Sequence, residues 1–177
     1  MPVAFTFADP MPNRVGDLAL PERWLLWAMR SLVQLSRVGR YHCRHVFDTL
    51  DCQGIGDCVG PMSALTRLFD IGATRPLEFG PTSCLVIAPD EQRVLAALQH
   101  IQSDRAPQAV RLMAAGLAPA IARASIGPLS DIAFALSEAG IQLPARVLNP
   151  RHEPFTNPHA PALGTALPSA FGSQALH

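Results

Sequence analysis

The 177-residue sequence contains no lysine, so all fourteen of its basic residues are arginines. This absence excludes a P-loop nucleotide site, because the phosphate-binding motif of that site requires a lysine. Charged residues of both signs are also few, at 16% of the chain, and the formal net charge is zero. Because bulk positive charge is missing, we do not expect the protein to bind nucleic acid or an anionic membrane.

Aromatic residues are scarce as well, at 6%, whereas 49% of the residues are hydrophobic. The core must therefore consist mainly of aliphatic side chains and alanine, a composition that favours packed helices. A chain of 19.0 kDa is expected to form one hydrophobic core. We predict an all-α fold, a compact bundle of six or seven short helices with an irregular middle segment and a proline-rich C-terminal tail.

The sequence shows neither a secretory leader nor a membrane span. The first ten residues lack a basic segment followed by a long apolar run, and that pattern is what a signal peptide requires. The apolar stretch at residues 24–38 is interrupted by Arg30, Gln34 and Arg37, so it is unsuited to cross a bilayer. We therefore expect a cytoplasmic protein, in which the four cysteines are free thiols and a metal or redox role is favoured over a structural disulfide.

Proline and glycine divide the chain into three predicted parts: an extended N-terminal arm (1–19), a helical domain (20–143) and a proline-rich tail (144–177) that is extended or disordered and lacks helix and strand. Residues 75–87 carry Pro76, Gly80 and Pro81, so we predict an ordered loop there in preference to a small hairpin. Seven helices are predicted within the helical domain: 21–38, 41–50, 60–71, 89 to about 101, 107–115, a short helix that begins at Pro119, and 129–139.

Two helix starts and one helix end have clear signals. Pro21 with Glu22, and Pro89 with Asp90 and Glu91, place a proline in the first turn, where no amide donor is needed, and carboxylates at the positive end of the helix dipole. The pair Gly140-Ile141 predicts a Schellman cap at the end of the last helix.

Metal-ligating residues are concentrated between residues 41 and 58, which hold three of the four cysteines and two of the six histidines. If residues 41–50 are helical, His42 and His45 lie on one face. Cys52 and Cys58 follow in a glycine-containing turn, so the four side chains would make an N2S2 set suited to zinc. The interval between Cys52 and Cys58 is wider than that of a usual zinc knuckle, so we predict no cofactor and keep zinc as the alternative.

The same segment permits a redox interpretation, in which Cys52 and Cys58 form a reversible pair and Cys84 approaches from the middle segment. The chain has no CxxC motif, and nothing in the sequence fixes a cation beside a thiol to lower its pKa. The alternative is that the thiols are small core side chains. No nucleophile motif accompanies them, and we therefore assign no catalytic residue.

A stripe of arginines, Arg23, Arg30 and Arg37, follows one face of the first helix. None has an acidic residue four positions away in that helix, so each needs a partner from elsewhere. The stripe has two interpretations. It binds an anion or an acidic partner, or it is a solvated edge that forms ion pairs with acidic residues further along the chain. Trp24 and Trp27, three residues apart, could form a binding hot spot or belong to the core.

Taken together, these patterns favour a small helical interaction or regulatory module without catalytic activity. Its partner would be another protein or a second copy of the chain. The alternative is a zinc-binding or thiol-redox protein centred on residues 42–58.

Overall fold

The all-α prediction is confirmed by the computed structural model, which describes residues 9–41 and 43–148. Seven α-helices occupy these residues: α1 (Leu20–Ser36), α2 (Arg44–Asp51), α3 (Val59–Gly72), α4 (Pro89–Gln102), α5 (Ala106–Ala114), α6 (Pro119–Ala124) and α7 (Ile126–Glu138). Short 3-10 turns at Val15–Asp17 and Gly56–Cys58 precede α1 and α3. In this part of the chain, no helix combines the length and the apolar character needed to cross a membrane.

The two helices that begin with a proline in the first turn, α1 and α4, are capped in the same way. At α1, the carboxylate of Glu22 accepts a hydrogen bond from the backbone N–H of Ala19 at 2.7 Å. At α4, Glu91 accepts one from the N–H of Ala88 at 2.8 Å. Both glutamates are buried, and each binds a distant arginine with its remaining acceptor positions. Each helix start is therefore bonded to an arginine that is distant in the sequence.

The predicted Schellman cap closes α7. Gly140 has a φ of 71°, a left-handed conformation that glycine adopts without a steric cost. The N–H of Ile141 donates to the carbonyl of Leu136 at 2.8 Å, and the N–H of Gly140 donates to Ser137 at 2.9 Å. Ile141 then packs against the core, as this motif requires.

The core lies among α1, α3, α4 and α7. Helix α4 packs against α5 and α7, while α3 packs against α1 and α7. Nine of the fourteen residues of α4 are buried, compared with nine of the seventeen in α1, so α4 is the more enclosed of the two. The largest fully buried apolar side chains are Leu25, Leu26, Leu32, Leu50, Ile55, Leu65, Leu95, Leu98, Leu129, Ile132 and Leu136.

The described part of the N-terminal arm packs on the helices, with Met11 and Leu18 buried. Its strand β1 (Asp9–Pro10) pairs in parallel with β2 (Arg146–Val147). The prediction that the tail after residue 143 lacks any strand is therefore wrong at Arg146 and Val147. Pro144 lies before this pair, so both residues keep their backbone donors for pairing. The rest of the predicted tail, residues 149–177, lies outside the described residues, as do residues 1–8.

Residues 75–87 form an ordered loop, as predicted. It is held against the arm by single backbone contacts: Val15 donates to the carbonyl of Leu85 at 2.9 Å, and Ile87 donates to that of Asn13 at 2.9 Å. These contacts position residues 75–87 between the arm and the start of α4.

Candidate functional site

The metal-ligating residues of the sequence are separated where they are described. The ring of His45 packs edge-on against Trp27, with 5.7 Å between ring centres. Cys52 is exposed at the end of α2, while Cys58 is buried. Within residues 9–41 and 43–148, no three His, Cys, Asp or Glu side chains are grouped to hold a metal ion. His42 lies outside the described residues, so the zinc set that includes it stays a prediction.

The start predicted for the second helix is wrong. Helix α2 begins at Arg44, and Cys43 before it is extended, with φ −138° and ψ 112°. Tyr41 instead makes a tertiary contact with α3, where the guanidinium of Arg67 lies 4.9 Å from the centre of its ring. Among the described residues before α2, Tyr41 thus contacts α3 and Cys43 is extended.

The four cysteines are free thiols in different environments. Cys84 is buried and Cys43 half-buried. Burial, with a smaller contribution from the charge of Asp57, raises the pKa of Cys58 to about 11. A thiol with this pKa stays protonated at neutral pH and is a poor nucleophile. The predicted redox pair therefore combines an exposed thiol, Cys52, with a buried and unreactive one.

The arginine stripe of α1 is divided among three different environments. Arg23 donates to the carbonyls of Leu18 at 2.9 Å and Gly16 at 2.6 Å, and so fixes the turn before the helix. Arg30 is only 1% exposed, and its role is therefore internal rather than contact with a partner. Arg37 is exposed at the end of α1. Arg23 and Arg37 are therefore accessible to an external ligand, and of these two only Arg37 has a side chain without a hydrogen bond to the rest of the described chain.

The two tryptophans of α1 belong mainly to the packed interior. Trp24 and Trp27 are both half-buried and pack against the core.

Asp90 is the second buried carboxylate at the start of α4, and it holds the first part of the loop. Arg75 donates to its two oxygens at 2.7 and 2.8 Å, and the N–H of Glu78 donates at 2.8 Å. Burial opposes ionisation of Asp90, but the hydrogen bonds from Arg75 and Glu78, with the charges of Arg75 and Arg93, outweigh it and lower its pKa. Residues 75–78 are thus fixed to α4 by charge-assisted hydrogen bonds.

A cleft of about 310 Å³ lies between the C-terminal parts of α1 and α3 and residues 73–79. We call it the α1–α3 cleft. Its apolar lining includes the rings of Phe69 and Phe79, which lie 5.5 Å apart. The polar groups around it are Ser36, Arg37, Thr66, Asp70 and Arg75. The cleft therefore joins an apolar surface to a charged edge, as small binding sites do.

The charged groups of the cleft differ in how far they are neutralised. Asp70 accepts a hydrogen bond from the hydroxyl of Ser36 at 3.4 Å, and its hydrogen bond to Tyr41 raises the pKa of that phenol. Arg75 is paired with Asp90. For Arg37, no carboxylate lies within 4.0 Å among the residues that the structure describes. Asp70 likewise has no arginine within 4.0 Å in the described ranges, so Arg37 and Asp70 are two open charges of opposite sign in the cleft.

Sequence reasoning identified Arg37 but not the cleft. The absence of an acidic partner four positions away from Arg37 was a usable signal, because it indicates a charge that needs a partner from elsewhere. Phe69 and Phe79 belong to α3 and to the loop, and their approach depends on tertiary contacts that no local spacing encodes. Comparison of the chain with protein-family models, curated proteins and solved structures found no match.

Proposed function

We propose that the protein is a non-enzymatic interaction module that binds a short segment of a partner protein in the α1–α3 cleft. The segment places an apolar side chain against Phe69 and Phe79 and a carboxylate on Arg37. The observation that carries this proposal is the apolar lining directly beside an exposed guanidinium with no carboxylate partner in the described part of the chain.

The size of the cleft supports an anchoring side chain rather than a large ligand. At about 310 Å³ it lies at the lower end of the range for ligand pockets. One or two partner side chains would fill it. Interfaces commonly concentrate their binding energy in such anchors, which insert into a small, desolvated pocket.

The open charge of Arg37 supports a partner segment that carries a carboxylate. Arg75 is paired with Asp90, whereas Asp70 is a second open charge of opposite sign in the described part of the chain, so we expect the carboxylate of the segment to lie on the Arg37 side of the cleft. An exposed arginine of this kind contributes mainly to orientation and association rate, and salt screens it.

The wall of the cleft is held in place before any partner binds. The hydrogen bonds from Arg75 and Glu78 to Asp90 fix the segment that carries Leu77 and Phe79. The N–H of Gly80 also donates to Glu91 at 2.8 Å. A wall fixed in this way lowers the ordering cost of binding.

A selection from a random peptide library against the immobilised protein tests the proposal. We expect enriched peptides to share an apolar anchor with an acidic residue nearby. Arg37→Gln should weaken their binding about tenfold, the effect of losing one charge-assisted hydrogen bond. Arg37→Glu should weaken it further, and added salt should weaken binding to the wild type.

Arg111→Gln is the matched control, because Arg111 is an exposed arginine on α5 and is not part of the cleft. It should leave the affinity unchanged. Fluorescence anisotropy with labelled peptides measures all four proteins. The proposal fails if no common pattern is enriched, or if the selected peptides bind the Arg37 variants as tightly as they bind the wild type.

A further inference from the structure

The sequence that follows the described residues contains one segment with the side chains that the α1–α3 cleft favours. Residues 149–177 include a single glutamate, no aspartate and a single arginine. Both lie in the run Arg151-His152-Glu153-Pro154-Phe155. This run, which we call the tail segment, therefore combines charges of both signs with an apolar ring.

The cleft offers open groups of the same three kinds. Arg37 and Asp70 are exposed and have opposite charges, and neither has an ionic partner in the described ranges 9–41 and 43–148. Both line the cleft together with Phe69 and Phe79. A ligand that fits all of these groups needs a carboxylate, a cation and an apolar side chain.

The spacing within the tail segment suits such a ligand. A residue that precedes a proline is restricted to extended conformations, and Glu153 precedes Pro154. Side chains two residues apart lie on the same face of an extended strand. Bound in this form, the segment would present Arg151, Glu153 and Phe155 to the cleft together.

The tail segment also begins near the cleft. Leu148, the last described residue, lines a cavity together with Leu112 of α5. Leu112 lines a small gap together with Leu77 and Phe79, and these two residues line the cleft. Glu153 follows Leu148 by five residues, which span up to about 17 Å when extended. The segment is therefore close enough to bind within its own chain.

We propose that the tail segment binds in the α1–α3 cleft of the same chain and competes with the partner segment. Glu153 pairs with Arg37, and Arg151 pairs with Asp70. The ring of Phe155 takes the place of the apolar anchor of the partner. This inference rests on the proposed function of the cleft, since it supplies the partner with an internal competitor.

The competition is effective even if the tail segment binds weakly. A ligand on a short connection has an effective concentration on the order of 1 mM. A segment with a Kd of about 0.5 mM would then fill the cleft in about two thirds of the molecules. The apparent affinity of a partner would fall about threefold, because only the free cleft binds it.

Photo-cross-linking of the purified full chain, without a partner, tests the internal contact. A benzophenone amino acid replaces Ala73 in the cleft or, as a control, Ala139 at the end of α7, both of which are exposed. We expect Ala73 to give a product within one chain, which mass spectrometry maps to residues 151–155. Its yield should not depend on protein concentration, and Ala139 should not give it.

Substitutions in the tail segment and the cleft identify the contacts. Phe155→Ala and Glu153→Gln should each lower the yield about fourfold, as a tenfold loss of affinity implies. Phe171→Ala, which changes the other phenylalanine of residues 149–177, should leave the yield unchanged. Arg37→Glu should lower the yield, and the added substitution Glu153→Arg should restore it.

The affinity of peptides selected for the cleft tests the competition. Phe155→Ala should raise this affinity about threefold, whereas Phe171→Ala should not change it. Because Arg37 binds both segments, Arg37→Gln should show its full tenfold effect on peptide affinity only together with Phe155→Ala.

The inference is overturned if Ala73 gives no product within one chain, if the product joins two copies, or if the substitutions of Glu153 and Phe155 leave the yield unchanged. Peptides that bind the wild type and Phe155→Ala equally would also overturn it, but would leave partner binding at the cleft intact. An internal product without any enriched peptide would contradict partner binding and support the internal contact.

Discussion

The side chains of Arg30 and Glu91 form a two-point ion pair in the interior, although 61 residues separate them in the sequence. Both contacts are 2.7 Å, and the side chains are 1% and 0% exposed. Glu91 also accepts hydrogen bonds from the N–H groups of Gly80 and Ala88 at 2.8 Å. The remaining donors of Arg30 bind the carbonyls of Cys84 and Val86. The pair therefore ties α1, α4 and the loop together.

Breaking this pair from one side should destabilise the protein strongly. Arg30→Met leaves the carboxylate of Glu91 buried without its charge partner. Glu91→Gln leaves the guanidinium of Arg30 buried without a carboxylate. Each should lower the free energy of unfolding by about 3–5 kcal/mol, measured by urea denaturation. The double variant should lose much less than the sum of the two.

The control for this prediction is Arg44→Gln, which removes an ion pair on the surface. Arg44 lies 3.6 Å from Asp48, and its side chain is 92% exposed. Such a pair contributes little, so stability should hardly change. Additive losses for Arg30→Met and Glu91→Gln would contradict the coupling between the two residues.

Arg30 also shows what the sequence could and could not reveal. Helix periodicity places Arg23, Arg30 and Arg37 on one face of the first helix, whereas the structure gives them three different environments. The proline and glutamate signals located the starts of α1 and α4. Neither pattern indicates that Arg30 meets Glu91, because that contact depends on how two distant helices pack. The strand pair of Asp9–Pro10 with Arg146–Val147 escaped prediction for the same reason, since two residues show no periodicity.

Asp90→Asn should destabilise the protein at neutral pH and reduce its sensitivity to acid. The folded pKa of Asp90 is lowered from its usual value of 3.8. The carboxylate therefore stabilises the fold above that pH, and this stabilisation is lost as the pH falls through the folded pKa. Urea denaturation at several pH values should show wild type and variant converging in acid. Parallel curves would contradict the role assigned to Asp90.

Two glycines of α3 should respond oppositely to alanine. A Cβ atom at Gly72 would lie only 2.6 Å from Cβ and 2.7 Å from Cγ1 of Ile121. Gly72→Ala should therefore cost about 1–3 kcal/mol through overpacking. Gly60 has open space around that position, so Gly60→Ala should be neutral or stabilise by up to about 1 kcal/mol. Thermal unfolding measures both, and equal effects would refute the close approach of α3 and α6.

The two thiols of the predicted redox pair should react independently. Exposed Cys52 should react rapidly with iodoacetamide in the native protein, and buried Cys58 only slowly. Mass spectrometry of timed samples separates the two sites. Protection of both together after mild oxidation would contradict this expectation.

The raised pKa of Cys58 has its own consequence for stability at high pH. The folded protein keeps the thiol proton more tightly than the unfolded chain, in which the pKa is near 9.0. Stability should therefore decline as the pH rises from 9.0 towards about 11. Lysine is absent, but Tyr41, whose pKa is also raised, contributes a decline of the same sign at higher pH. Cys58→Ala should therefore reduce the decline, and Cys52→Ala should leave it unchanged.

The limits of sequence reasoning are clearest at the α1–α3 cleft. Arg37 was identified as a candidate partner contact because it lacks a partner within its helix. Phe69 lies in the helix predicted over 60–71 and Phe79 in the loop predicted over 75–87, with no local reason to bring them together. Asp90 fixes the loop through Arg75 and Glu78 and so creates the cleft. Such a site is formed by tertiary contacts, and only its charged residue, Arg37, could be recognised in the sequence.

Site-directed photo-cross-linking in cells that express the protein tests the proposed docking site most directly. A benzophenone amino acid replaces Ala73, an exposed residue of the cleft, or Ala139, an exposed residue at the end of α7 as a control. We predict that Ala73 yields a product with a second protein, that mass spectrometry maps it to an acidic segment, and that Arg37→Glu abolishes it. Equal yields at Ala139, insensitivity to Arg37→Glu, or a product joining two copies of the chain would contradict the account.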